Sequence, residues 1–153
     1  MSSLRPMTHD EFDRFRAASM ESYAHERARN LGTSVEEERA QAARQYAQIL
    51  PNGFQTEGHL FWKLVADNGD AVGDLWVYRE ADSSHAFLFV IEIAEEHRGK
   101  GRGKRALQLI ESQLRPAGVS RIGLNVFADN DIARSLYEQA GYRVTNLNMQ
   151  KHI

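Results

Sequence analysis

The chain has 153 residues, which suits one domain around one hydrophobic core. It is 42% apolar and 26% charged with a formal net charge of −2, an ordinary globular profile with no bulk attraction to nucleic acid or to an anionic membrane. The absence of cysteine excludes disulfides, thiolate metal sites and a cysteine nucleophile. No apolar run approaches the roughly 20 residues that span a bilayer, and the first residues lack the apolar core of a signal peptide. The expectation is a single cytoplasmic domain over residues 1–153.

In chain order, residues 4–7 suit a short first strand. Thr8 and Glu11 then have capping-box spacing, in which each side chain accepts from the other's backbone N–H. Phe12, Phe15, Met20, Tyr23 and Leu31 follow at helical spacing, and Gly32 predicts a left-handed stop. Ser34 and Glu37 repeat the capping-box spacing before a second helix that carries Ala43, Tyr46, Ala47 and Leu50 on one face. Pro51, Asn52 and Gly53 end it.

The middle of the chain reads as strands at 59–66, 71–79 and 86–94, with a hairpin turn at Asp67, Asn68 and Gly69 and a polar break at Asp82, Ser83 and Ser84. The third of these is nearly continuous in apolar residues, which predicts a central strand covered on both faces. Residues 104–114 carry a helical stripe of Leu107, Ile110 and Leu114. A strand at 121–127, a helix capped by Asp129 or Asn130 and ending at Gly141, and a last strand at 142–149 complete the order. Helices and strands mixed in this way predict a single α/β domain.

The strongest local signal is the run Arg98, Gly99, Lys100, Gly101, Arg102, Gly103, followed by Lys104 and Arg105. It lies between an apolar strand and an amphipathic helix. The free N–H groups and dipole of a helix start favour a phosphate, and glycine lets it approach the backbone. Taken alone, the run suits a phosphate cradle and a tight basic turn equally. It comes too late in the chain for a dinucleotide fingerprint, and Arg105 stands where a Walker loop needs Ser or Thr.

Arg98, Gly101 and Gly103 fill the fixed positions of the loop pattern of the GNAT acetyltransferase superfamily. A second segment also resembles that family: Leu124, Val126, Asn130, Ala133, Leu136, Tyr137, Gly141 and Tyr142. Two such segments in the right order are more specific than either alone. Met149 and Lys151 resemble the ending of small bacterial members. In the front half, Leu50-Pro51-Asn52-Gly53, Thr56 and His59 resemble a stand-alone bacterial subgroup.

The resemblance implies the acyl-CoA N-acyltransferase fold, a mixed central sheet flanked by helices and splayed between its fourth and fifth strands. It implies acetyl-CoA as cosubstrate. Ile91 and Ile93 would contact the pantetheine arm, and an N–H near Ile93 would polarise the acetyl carbonyl. The backbone from Gly99 through Lys100, Gly101, Arg102 and Gly103 to Lys104 would hold the pyrophosphate, with Arg98 beside it. Asn130 caps its helix and could also touch the cofactor. By resemblance, Tyr137 would sit by the sulfur and protonate the departing thiolate; the plain alternative is that it only packs.

Candidates to take the amine's proton are Glu92, which interrupts an apolar strand, together with His59 and Glu57. An ion pair with an arginine is the plain alternative for Glu92. Asn125 stands where some members have an acid, and an amide cannot take a proton at neutral pH. An amine arriving neutral needs no base.

The six histidines lack metal-ligand spacing, so no metal is expected. Phe12, Phe15, Trp62, Trp76, Phe87 and Phe89 read as core. The expected reaction is direct attack by a small-molecule or peptide amine, with no nucleic-acid or membrane partner. The alternative is a non-catalytic acyl-CoA-binding sensor on the same fold. The oligomeric state is open, a homodimer being common among such small proteins.

Overall fold

The computed structural model of the protein describes residues 2–153. Strand β1 (Ser3–Pro6) leads into helix α1 (His9–Leu31), and α2 (Val35–Ile49) follows after a short turn. Three strands come next: β2 (His59–Val65), β3 (Ala71–Arg79) and β4 (His85–Ile93). Helix α3 (Arg102–Leu114), strand β5 (Arg121–Leu124) and helix α4 (Asp131–Gln139) complete the regular structure. The described residues cluster in two compact units. The first runs to Ala17 and resumes over Leu50–Asn125; the second comprises Ala18–Ile49 and Val126–Ile153.

The predicted helix signals are formed. Glu11 N donates to Thr8 Oγ1 at 3.2 Å, and Thr8 N donates to Glu11 Oε1 at 2.9 Å, so the first capping box is reciprocal. At α2 one half of the box is present, Glu37 N to Ser34 Oγ at 3.2 Å. Gly32 has φ +69°, the left-handed value expected at the end of α1.

The first unit holds the sheet, in the order β1-β2-β3-β4-β5. The first three pairings are antiparallel, and β5 runs parallel to β4. Leu75, Trp76 and Val77 are consecutive on β3 and all buried, so both faces of that strand are covered. Phe12 and Phe15 of α1 meet Phe61 and Trp76, with Phe12 4.7 Å from Phe61 between ring centroids. Helix α3 buries Ala106, Leu107, Ile110 and Leu114 and packs on β4.

Strand β4 departs from the expectation of a fully covered central strand. Phe87, Phe89, Val90, Ile91 and Ile93 are only half-buried. Pairing explains this. On one side Trp76 faces Val90 and Val77 faces Leu88, which leaves Phe89 as the extra residue of a β-bulge. On the other side the parallel ladder runs from His85–Arg121 to Leu88–Leu124 and stops there. A bulge bends its strand and sharpens its twist. Residues 89–93 of β4 therefore continue without a partner on the β5 side. This is the splay between the fourth and fifth strands that the family resemblance implies.

In the second unit, Glu38 is buried and accepts from Arg27 Nε at 2.5 Å and from Thr33 Oγ1 at 2.8 Å. The Arg27 hydrogen bond holds the Glu38 carboxyl below its usual range. Asn130 caps α4, accepting from Ala133 N at 3.1 Å, and Gly141 ends that helix region with φ +97°. The predicted last strand at 142–149 is not formed: no strand follows Leu124 among the described residues. Strand propensity alone does not make a strand, which exists only against a hydrogen-bonding partner.

Candidate functional site

The open side of β4 is the first element of the site. Ala94 N donates to Val72 O at 2.9 Å, so the backbone at that position faces β3. Hydrogen-bonding direction alternates along a strand, which turns the N–H groups of Ile91 and Ile93 the other way, toward the side without a strand. Both residues singled out from the sequence thus present backbone donors to the gap. The Ile93 carbonyl is engaged by Arg98 Nε at 2.8 Å.

The second element is the loop that leads into α3. Gly99 and Gly101 have φ +76° and +72°, and a Cβ at either would meet nothing within 4 Å. The demand for glycine here is conformational, and the space beside both residues is open. Gly101 is the residue preceding α3 and offers no side-chain cap, and the first turn carries no acid. The first intrahelical bond of this turn is Arg105 N to Gly101 O, so the N–H groups of Arg102, Gly103 and Lys104 lie before the helix's own ladder begins. A helix start with uncapped donors and surrounding cations suits an anion. Arg98, Lys100 and Lys104 are exposed around it, while Arg102 is half-buried with its Nε shielded from solvent and without a partner.

Glu92 lies at the end of β4. Its Oε1 accepts from Arg98 Nη2 at 2.6 Å, and both side chains are more than half exposed. Arg98 therefore does two things: it pairs Glu92 and it fixes the end of β4 through the Ile93 carbonyl. Its position in the sequence pattern signals only the place beside the phosphate.

His59 is constrained more tightly. Trp76 Nε1 donates to its Nδ1 at 2.9 Å, and the ring lies among Phe61, Tyr78 and Phe89. Burial pushes its pKa below the usual value. A neutral imidazole whose Nδ1 accepts must carry its proton on Nε2, so neither nitrogen is open to take a proton from a substrate. This removes His59 as a base. Glu57 lies exposed before β2, beside a small surface cleft lined also by Tyr78 and Arg79.

In the second unit, Tyr137 is half-buried on α4, its ring 5.8 Å from that of Tyr142 in an edge-on arrangement. Asn130 spends its Oδ1 on the helix cap. Among the described residues, no group of three or more His, Asp or Glu side chains is placed to hold a metal ion. No helix among them is long and apolar enough to cross a membrane.

A mixed sheet that parts beyond Leu88, with a glycine-rich helix start following its open strand, is the architecture of an N-acetyltransferase. The model of the Acetyltransferase (GNAT) family matches residues 13–142, and the chain belongs to that family. Among its relatives, the uncharacterized N-acetyltransferase YdgE of Bacillus subtilis (strain 168) is 36% identical over 99% of this chain and 98% of its own length. The uncharacterized N-acetyltransferase YycN of the same organism is 34% identical, covering 98% of this chain and 97% of its own. The crystal structure of Bacillus subtilis YycN matches 100% of this chain and 99% of its own with a TM-score of 0.94 at 32% identity.

Proposed function

We propose that the chain transfers the acetyl group of acetyl-CoA to a primary amine by direct attack in a ternary complex. The observation that carries this reading is the open side of β4, where the Ile91 and Ile93 N–H groups face a gap in the sheet and an uncapped, basic helix start follows in the same unit. An extended amide chain such as pantetheine can pair with a free strand edge as another strand would. Its diphosphate suits the donors of residues 99–104 and the cations around them.

In the reaction, the amine lone pair attacks the thioester carbonyl carbon and negative charge develops on its oxygen. The N–H near Ile93 is the proposed donor to that oxygen. The C–S bond then breaks, and the sulfur leaves with a proton from the Tyr137 hydroxyl, the proposed general acid. Glu92 is the proposed acceptor of the amine's proton, directly or through a water. Its pairing with Arg98 means that a cationic amine must compete with the guanidinium for the carboxylate. The chain lacks cysteine, so no acyl-cysteine intermediate intervenes.

Measuring CoA-thiol release from acetyl-CoA with a panel of amines tests this reading. Replacing Tyr137→Phe is expected to lower kcat at least tenfold while leaving acetyl-CoA affinity within a few-fold. Equal turnover by the variant would remove Tyr137 from the mechanism.

A further inference from the structure

The end of β4 is fixed by its backbone on the β3 side and by one side chain from the loop that follows. Ala94 N donates to Val72 O at 2.9 Å, and a Cβ at Gly73 would stand 2.9 Å from the Glu92 carbonyl oxygen, so β3 lies too close for the strand end to shift that way. The side chain is Arg98. Its Nε holds the Ile93 carbonyl and its Nη2 holds the Glu92 carboxylate. The short turn Glu95–His97 brings the guanidinium back onto the strand it has just left.

Glu92 also belongs to a row of charges that crosses one face of the sheet. It stands directly opposite Asp74 on β3, and Asp74 stands opposite Lys63 on β2. Like charges directly opposite each other are unfavourable unless each is neutralised. Here each carboxylate has its own cation. Lys63 Nζ donates to Asp74 Oδ1 at 2.5 Å with both side chains half-buried, and Arg98 serves Glu92. Arg5, opposite Lys63 on β1, is taken by Glu11 of α1 through bonds of 2.9 and 3.0 Å.

Arg98 is the member of this row with a second claim on it. It immediately precedes Gly99, at the mouth of the loop whose uncapped N–H groups open α3. A diphosphate held there meets the guanidinium that Glu92 uses. One guanidinium has one positive charge to share, and a diphosphate brings more negative charge than a carboxylate and accepts the same fork of donors.

We infer that Arg98 is a positioning residue that trades Glu92 for the diphosphate of the donor, so that the carboxylate is released to the amine once the donor is bound. The inference rests on the reading of the loop as a diphosphate cradle given above. The bond from Nε to the Ile93 carbonyl persists while Nη2 changes partner. The trade leaves Lys63 as the cation for two facing carboxylates, and an incoming ammonium group restores the balance. A thioester without a diphosphate binds without freeing Glu92. Donor selectivity and amine affinity are then one coupled property.

Calorimetric titration of CoA into wild type, Glu92→Gln, Arg98→Gln and the double variant tests the trade without requiring turnover. Both side chains are more than half exposed, so neither substitution disturbs the core. Glu92 competes with the diphosphate for Arg98, so Glu92→Gln should tighten CoA about threefold or more. Arg98→Gln should weaken it by about the same factor, and in that background Glu92→Gln should change nothing. Unchanged or weaker binding by Glu92→Gln alone would overturn the inference. So would a gain that persists without Arg98, which is a general effect of removing a negative charge. A wild type that binds CoA but shows no coupling in this cycle sinks the trade and leaves the transferase reading standing; a wild type that does not bind CoA removes both.

A second measurement separates positioning from a structural role. The donor is S-acetylpantetheine, which has no diphosphate, and millimolar inorganic pyrophosphate is supplied in trans with an amine taken from the panel. Pyrophosphate should lower the amine KM of the wild type about threefold or more while changing kcat little, and should have no effect on Arg98→Gln. An amine KM indifferent to pyrophosphate, or equally responsive in both proteins, contradicts the trade.

Discussion

His59 shows how one hydrogen bond assigns a role. The Trp76 indole donates to Nδ1, which fixes the tautomer and leaves the ring as a half-buried acceptor inside an aromatic cluster. Burial lowers its pKa, so the folded state favours the neutral ring more than the unfolded chain does. The stability this contributes is present above the unfolded value of about 6.5 and is lost as pH falls through the lower folded value. Replacing His59→Leu should cost about 1 kcal/mol at neutral pH through the lost hydrogen bond, and should flatten the stability profile on the acid side of neutrality. Urea denaturation from pH 5 to 8 measures both, and an unchanged acid limb would show that His59 does not carry it. None of this was legible in the sequence, where a histidine opening a strand looks like any titratable surface group. The partner that decides its chemistry is 17 residues away, on the neighbouring strand. Glu92 is similar: its apolar neighbours suggested an unusual carboxylate, and the turn of the loop brings Arg98 back onto it.

At the scale of elements, caps and stops are legible in the sequence and strand pairing is not. Caps and stops are written in a few adjacent residues, and Thr8, Glu11, Gly32, Asn130 and Gly141 all act as their types predict. The bulge at Phe89 has no such signal, because it is defined by the register of Trp76 and Val77 against β4. Yet it bends β4 as that strand leaves β5, and so opens the edge at Ile91 and Ile93. The segment 142–149 has strand-like composition and no strand, since propensity supplies only half of a pairing. The loop before α3 combines both kinds of information. Its glycines were legible, and their positive φ and open surroundings give the physical reason. Replacing Gly101→Asp should strain the left-handed backbone and set a negative charge at the helix start. Acetyl-CoA affinity should fall at least tenfold by calorimetric titration. Undiminished affinity would mean that this loop does not hold the diphosphate.

For the whole molecule, membership of the acetyltransferase family meets one physical feature, a strand whose outer edge is left open beyond Leu88. The open edge and the uncapped helix start belong to the same unit, so the donors for an extended amide chain and for a diphosphate come from one stretch of chain between Phe89 and Lys104. Amide hydrogen exchange, followed by NMR with and without saturating acetyl-CoA, reads those donors individually. The account predicts slowed exchange at Ile91, Ile93 and residues 99–104 when acetyl-CoA is bound. Protection elsewhere with unchanged exchange at Ile91 and Ile93 would contradict it.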